Sequence, residues 1–282
     1  MSSTQQIELV DVRLDHPRGG PPLVSGANLA VASGEVVVIA GAAGVGTSRL
    51  VAAALGELAV SSGRIDVLGR NVGRLRRSSL RLLRRRVGIV PQDLCLLEDR
   101  SAQLNVVLPL EIDGIPRSIS VQRAADVLAL LALTSEAALS VDHLPASARQ
   151  RVAVARALVR DPDIVLADHP TSAQDRAGTE LVCGALARAA ERGAGCLVLT
   201  RDPALFAIAE ARGWRKFRLA AGALEPIATF ADLALPPPER SEPVAPPVVA
   251  ADTDDADDDA DDAVVANVLP FPISARTAGA TR

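Results

Sequence analysis

Aromatic and lysine side chains are almost absent from most of this sequence. It contains no tyrosine, and its four phenylalanines and single tryptophan all lie at Phe206 or later. Lys216 is the only lysine among the 30 basic residues. A binding site built from residues before Phe206 therefore has neither a large aromatic ring to stack on a ligand nor a lysine to contact an anion.

The chain also lacks the signals of secreted proteins, of membrane-spanning proteins and of a metal site built from cysteines. Cys95, Cys183 and Cys196 do not have metal-ligand spacing, and their surroundings predict buried thiols in a reducing compartment. The N-terminus has neither the basic nor the apolar region of a signal peptide. The most apolar run, VLALLAL at 127–133, is far shorter than the roughly 20 residues that span a bilayer. These features predict a soluble, cytoplasmic protein.

Composition changes sharply near Leu235. Residues 236–282 begin with a proline-rich stretch and continue with the acidic run ADTDDADDDADDA. Neither stretch can bury enough apolar surface to offset the entropy lost on ordering, so we expect a disordered tail after a folded domain at 1–235. Ten acidic and three basic residues give the tail a charge of −7, which leaves about +3 for the domain out of −4 for the chain. A solubilising role and an acidic docking role both fit such a tail.

Deletion of 236–282 should leave the thermal unfolding of the domain almost unchanged, because this segment has no apolar face to pack. Calorimetry of the full-length and truncated chains tests this. A fall in the melting temperature of several degrees would mean that the tail docks on the domain.

Within 1–235, apolar strands alternate with helical patterns. The segments 35–41, 163–169 and 195–202 are almost continuously apolar, as strands buried on both faces are. Two segments between the first two strands have apolar residues at helical spacing, and Ser120 and Ser147 are their predicted N-caps. The stretches IELVDVRL and SGRIDVLG alternate like antiparallel strands. The pattern predicts an α/β fold around a parallel sheet.

The segment IAGAAGVGTSR, at 39–49, has the outline of a phosphate-binding loop. Its glycines and Ser48 follow the pattern G-x-x-x-x-G-K-[ST], but Thr47 stands where the pattern has lysine. The candidate nucleotide-binding residues of the loop are Gly41, Ala42, Ala43, Gly44, Val45, Gly46, Thr47, Ser48 and Arg49.

From Ile7 to about Leu224 the chain resembles the ATP-binding subunit of ABC transporters. The resemblance rests on motifs in order: the loop at 39–49, VGIVPQD, LPASARQRVAVARAL, DPDIVLADHPTSAQD and LVLTRD. It is strongest to the cell-division member FtsE, and the lipoprotein-release and macrolide-export ATPases come next. It implies a P-loop NTPase fold with an antiparallel β subdomain and a helical subdomain inserted at about 94–160.

The resemblance also assigns roles to single residues. Ser48, Gln92 and Asp168 fall at the positions that hold Mg²⁺ beside ATP. His16 falls where the family has an aromatic residue that stacks on adenine, and a histidine can replace it only weakly. The family's water-polarising glutamate is replaced by His169, and its switch histidine by Arg201.

These replacements predict weak or absent ATP hydrolysis. Thr47 cannot supply the lysine charge, and Arg49 is either a solvent-facing helix residue or a cation that swings towards a phosphate. His169 is either a partly buried histidine without a catalytic role or a base, since imidazole titrates near pH 7. The sequence therefore assigns no residue to catalysis, and His169 and Arg201 stand at degenerate catalytic positions.

The signature segment of the family, which closes on the γ-phosphate bound by the opposite subunit, is LPASA here. Pro145 has neither a hydroxyl nor an N–H, and two glycines of the family pattern are replaced. The segment comprises Leu144, Pro145, Ala146, Ser147 and Ala148.

The favoured hypothesis is an FtsE-like pseudo-ATPase. It would form a homodimer or heterodimer and dock a membrane permease subunit of the FtsX type, at the inner face of the cell membrane, through the segment after Gln92. One alternative is a working transporter-type ATPase with unusual catalytic residues, and another is a cytosolic scaffold that uses the acidic tail. Nucleic acid is not an expected partner, because the arginines at 70–86 have no interleaved aromatic residues.

Overall fold

The computed structural model describes residues 5–41 and 46–229. The predicted tail at 236–282 and loop residues 42–45 lie outside this range. The strands are β1 (Gln5–Leu14), β2 (Val24–Ala32), β3 (Val36–Gly41), β4 (Ser62–Val67), β5 (Arg70–Asn71), β6 (Val87–Val90), β7 (Ile164–Asp168), β8 (Gly195–Thr200), β9 (Arg215–Ala220) and β10 (Ala223–Pro226). The helices are α1 (Thr47–Ala54), α2 (Arg77–Arg84), α3 (Ala102–Ile112), α4 (Arg117–Leu130), α5 (Ala146–Leu158), α6 (Arg176–Glu191) and α7 (Pro203–Ala211).

A six-stranded sheet forms the centre of the described region. Its order is β10-β9-β3-β8-β7-β6, and its strands are parallel except β10, which pairs antiparallel with β9. All residues of β3, β7 and β8 are buried. The three segments with nearly continuous apolar runs are therefore the central strands, and the predicted α/β fold is confirmed.

The two faces of the central sheet pack against different layers. On one face, Val37 and Ile39 share a core with α1 and with the sheet β2-β1-β4-β5. On the other, Val36 and Val38 share a core with α3 to α7. This side-chain alternation is the period-two pattern of a strand. The pairings of β1 with β2 and β4 are antiparallel, which confirms the predicted antiparallel β subdomain.

The helices α3, α4 and α5 lie between β6 and β7, inside the range predicted for the helical insertion. The two predicted N-caps are wrong. Pro116 and Pro145 precede α4 and α5, because a proline has the fixed negative φ that suits this position and ends the preceding segment. Ser120 lies inside α4, where its hydroxyl donates to the Ile115 carbonyl at 3.2 Å. Ser147 is the second residue of α5.

The prediction of three buried thiols is also wrong for one of them. Cys183 and Cys196 are buried in the core, whereas Cys95 is exposed on the loop after β6. Burial raises the pKa of each buried thiol to about 12. Among the described residues, no helix is both long and apolar enough to cross a bilayer.

Candidate nucleotide-binding site

The phosphate-binding loop joins the end of β3 to the start of α1. Gly46 precedes the helix with a φ of +99°, in the left-handed region that favours glycine. A Cβ atom on Gly46 would lie 2.7 Å from the Cβ of Leu23, so both the backbone and the packing require glycine there. The free N–H groups at the start of a helix attract anions, and the loop after β3 leads directly into the start of α1.

Thr47 occupies the lysine position without replacing its function. Its side chain is only 6% exposed and carries no charge. Arg49, the third residue of α1, is half-buried, and its Nε has no hydrogen-bond partner among the described residues. The described part of the loop thus offers backbone dipoles to a phosphate but no cation at the position of the pattern's lysine.

Three oxygen donors from different elements line one cleft of about 540 Å³. Ser48 lies on α1, and its hydroxyl donates to Oε1 of Gln92, just after β6, at 3.5 Å. Asp168 ends β7 and is 5% exposed, and its Oδ1 is buried without a hydrogen-bond partner in the described structure. A buried carboxylate oxygen left unpaired is costly unless a ligand or ion satisfies it. The structure therefore brings together the three residues predicted to hold a metal.

His169 follows Asp168 with its backbone fixed in the left-handed region. Its φ is +53°, and its N–H donates to the Leu199 carbonyl at 2.9 Å. The ring Nε2 lies 3.8 Å from Oδ1 of Asp168, and the side chain is 11% exposed. Burial lowers the pKa of His169, Arg201 lowers it further, and Asp168 opposes both. The imidazole is thus neutral near pH 7, which agrees with a partly buried histidine and leaves a nitrogen able to accept a proton.

Two further predicted residues lie on loops beside the site. Arg201 is exposed and follows β8, close enough to His169 to affect its pKa. His16 is half-buried on the β1–β2 loop, which also carries Leu23 against Gly46. Its Nδ1 accepts the N–H of Arg18 at 3.2 Å. That bond occupies one nitrogen of the ring.

The signature segment forms the start of α5. Leu144 and Ala148 are buried, with exposures of 4% and 1%, while Pro145 and Ala146 are exposed. Among the described residues no side chain caps α5, whose N-cap is Pro145. Pro145 thus supplies neither the hydroxyl nor the N–H that the family pattern has at this position.

Gln150, which the sequence did not single out, connects α5 to the segment after β7. Its amide nitrogen donates to the His169 carbonyl at 2.9 Å and to the Ser172 hydroxyl at 2.8 Å. Its amide oxygen accepts from the Ala173 N–H and from the Gln174 side chain, both at 3.0 Å. The only signal in the sequence is a glutamine among the apolar residues on the buried face of this helix.

Residues 24–172, just over half of the chain, match the family model described as ABC transporter. The chain belongs to the ABC transporter family. The methionine import ATP-binding protein MetN of Brucella abortus is 35% identical over 185 residues, which are 66% of this chain and 50% of that protein. MetN of Caulobacter vibrioides is 36% identical over 181 residues, 64% of this chain and 54% of that one. The chain thus spans about half the length of the curated relatives it matches.

Solved structures of ABC ATPases share this fold. The dimeric post-hydrolysis state of the ATP-binding cassette MJ0796, bound to ADP and Pi, has a TM-score of 0.70 at 28% identity. The superposition covers 78% of this chain and 97% of the MJ0796 chain. CbiO1 from Clostridium perfringens, part of the transporter complex CbiONQ, is 24% identical with a TM-score of 0.68, which supports the fold alone. These relatives do not confirm the particular resemblance to FtsE.

ABC ATP-binding domains use ATP with magnesium, and the site of this ABC domain fits the two to different degrees. Ser48, Gln92 and Asp168 supply hydroxyl, amide and carboxylate oxygens, the donors that Mg²⁺ prefers. The unpaired Oδ1 of Asp168 is the observation that favours a cation. The triphosphate fits less well, because Thr47 is uncharged and cannot balance the negative charge of the phosphates as the usual lysine does.

Proposed function

We propose that this chain is the ATP-binding subunit of an ABC transporter complex that binds MgATP weakly and hydrolyses it slowly or not at all. One observation carries the proposal: the cleft keeps Ser48, Gln92 and Asp168 together, while Thr47 and His169 replace the charged residues around them. Retained metal donors support nucleotide recognition. The missing lysine and glutamate support impaired turnover.

The comparison with methionine import proteins favours a transporter over a cell-division role. We therefore propose a small-molecule import complex, with a permease of that class as the membrane partner in place of one of the FtsX type. The segment after Gln92 has both exposed and buried apolar residues, which agrees with a docking surface. Leu97 and Leu104 are 44% and 37% exposed, whereas Val106 is buried in the core.

A working transporter-type ATPase is the second candidate, and the relatives favour it over the FtsE-like hypothesis. In that case His169 would serve as the base, because its neutral imidazole lies beside Asp168. Phosphate release from MgATP by the purified chain, alone and with its permease, separates the candidates. Turnover that is abolished in His169→Ala but kept in His143→Ala, an exposed histidine in the short 3₁₀ helix before α5, would support the second candidate.

We expect a fluorescent ATP analogue to bind the wild-type chain weakly in the presence of Mg²⁺. A lost charge-assisted contact is worth about 1.5–3 kcal/mol, so Thr47→Lys should tighten binding roughly 10- to 100-fold. Titration of both proteins with and without Mg²⁺ measures this. Low-micromolar or tighter binding by the wild-type chain would refute the proposal of weak binding.

A dimer and a peripheral membrane location complete the proposed assembly. The MJ0796 cassette is dimeric in its solved structure, which supports a homodimer or heterodimer here. Docking to a permease would place the chain at the inner membrane face. Sedimentation of the purified chain with and without MgATP tests the dimer.

A further inference from the structure

The loop after Gln92 contains two successive residues in a conformation that favours glycine. Leu94 has a φ of +60° and Cys95 a φ of +45°. A side chain in the left-handed region crowds the following carbonyl, so such residues usually occur singly. Two in succession persist only where surrounding contacts hold the backbone.

Arg156 on α5 provides those contacts. Its Nη2 donates to the Leu94 carbonyl and its Nη1 to the Cys95 carbonyl, each at 2.5 Å. The planar guanidinium matches two adjacent acceptors in a way that a lysine ammonium cannot. Burial lowers the pKa of Arg156, while Cys95 and Asp93 oppose this shift. A half-buried cation is therefore used to hold two backbone oxygens.

The same loop places Gln92 in the site. The Leu94 N–H donates to the Pro91 carbonyl at 3.1 Å, which closes a tight turn around Gln92 and Asp93. A second short bond joins the Cys95 N–H to the Asp93 carbonyl at 2.7 Å. A change in the position of Leu94 and Cys95 would therefore rotate the turn and move the Gln92 amide away from Ser48, 3.5 Å from it now.

We propose that Arg156 is a positioning residue, which keeps Gln92 in the metal site by holding Leu94 and Cys95 in their strained conformation. The role of Gln92 towards Mg²⁺ rests on the proposed function, whereas the hold on the loop does not.

Since Arg156 and Gln150 lie on one helix, α5 holds the backbone on both sides of the cleft. Gln150 binds the carbonyl of His169, and Arg156 binds the loop after Gln92. The signature segment is the N-terminal end of this helix. A displacement of α5 would therefore act on Gln92 and on the residue after Asp168 together.

Hydrogen exchange of the full-length chain tests the hold on the loop. We expect Arg156→Gln to speed exchange in the peptide that spans 91–97 at least about tenfold, because two charge-assisted bonds to the backbone are lost. The matched control is Arg149→Gln, since Arg149 also lies on α5 and bonds the carbonyls of Leu144 and Asp142. The control should leave the 91–97 peptide unchanged.

Glycine replacement distinguishes positioning from a general structural role. Glycine adopts the left-handed conformation without strain, so a loop with Leu94→Gly and Cys95→Gly no longer needs the two hydrogen bonds from Arg156. Adding Arg156→Gln to this background should therefore speed exchange much less than it does in the wild-type background. A uniform rise in exchange throughout the domain, or an equal effect in both backgrounds, would overturn the proposal.

The link to Gln92 is tested by binding of the fluorescent ATP analogue. Arg156→Gln should weaken binding of the analogue in Mg²⁺ and leave its binding in EDTA unchanged. Adding Leu94→Gly and Cys95→Gly to this variant should restore the affinity measured in Mg²⁺. Equal losses in Mg²⁺ and EDTA would refute a role through Gln92. If the wild-type chain bound no analogue, the proposed function would fail, whereas the exchange comparison would still decide whether Arg156 holds the loop.

Discussion

Robust ATPase activity should not return when Thr47→Lys, His169→Glu and Arg201→His are combined. The resemblance to the family implies that each active site would be composite, with the loop of one subunit paired with the signature segment of the other. In a homodimer the repaired loop would still face a segment that begins α5 at Pro145. Losing one preorganised donor to a developing charge costs on the order of 10²–10³ in rate, and at least two are missing here.

The decisive comparison adds Pro145→Ser, Ala146→Gly and Ser147→Gly to the triple variant. Ala148 is best left unchanged, because it is 1% exposed in the core and a glutamine there would bury an amide. The serine would also cap α5, a gain of about 1 kcal/mol. Phosphate release by the six-fold variant should exceed that of the triple variant by at least about 100-fold.

Equal turnover by the two variants would contradict the composite-site argument. Circular dichroism and the melting temperature of each variant provide the folding control. The same geometry limits rescue of the unmutated chain by an intact partner. In such a heterodimer one site would contain this loop and the other this signature segment, so neither would be complete.

The central strands could be predicted because burial on both faces leaves a direct trace in the sequence. An almost unbroken apolar run of the length of 35–41 is typical of a strand in the middle of a parallel sheet. Helix starts were harder. Serine is a common cap, but Pro116 and Pro145 each set the chain direction just before their helix. Cys95 looked buried beside leucines, yet its loop runs on the surface.

Site residues that belong to sequence motifs could be predicted. Site residues that act through contacts between distant parts of the sequence could not. Ser48, Gln92 and Asp168 line one cleft, as the motif order implied. Gln150 and Arg156 were missed because they bind backbone groups 19 to 62 positions away, and such bonds leave no local pattern.

The subfamily was harder to predict than the family. The motifs in α5 and the central strands match the general ABC pattern, so they identify the family without separating an importer from a cell-division subunit. Leu97 and Leu104, the exposed leucines of the proposed docking segment, give only a general apolar signal and do not identify a partner.

Replacement of Gln150 by alanine should lower the free energy of unfolding by about 3 kcal/mol or more. The side chain is 2% exposed and makes four hydrogen bonds, so its loss removes the partners of groups on the partly buried segment after β7. A hydrogen bond contributes about 0.5–1.5 kcal/mol net, so the four together give the expected loss even though the exposed Ser172 and Ala173 can bind water instead. Denaturant unfolding of both proteins, fitted for midpoint and slope, gives the difference.

Gln122 provides the matched control on an exposed face of α4. Within the described part of the chain its amide bonds only the side chain of Asp126, at 2.9 Å, so Gln122→Ala should change stability by no more than about 0.5 kcal/mol. A loss below about 1 kcal/mol in Gln150→Ala would mean that water or a rearranged Gln174 satisfies the same groups. The segment after β7 would then be held without α5, and the coupling of that helix to His169 would be refuted.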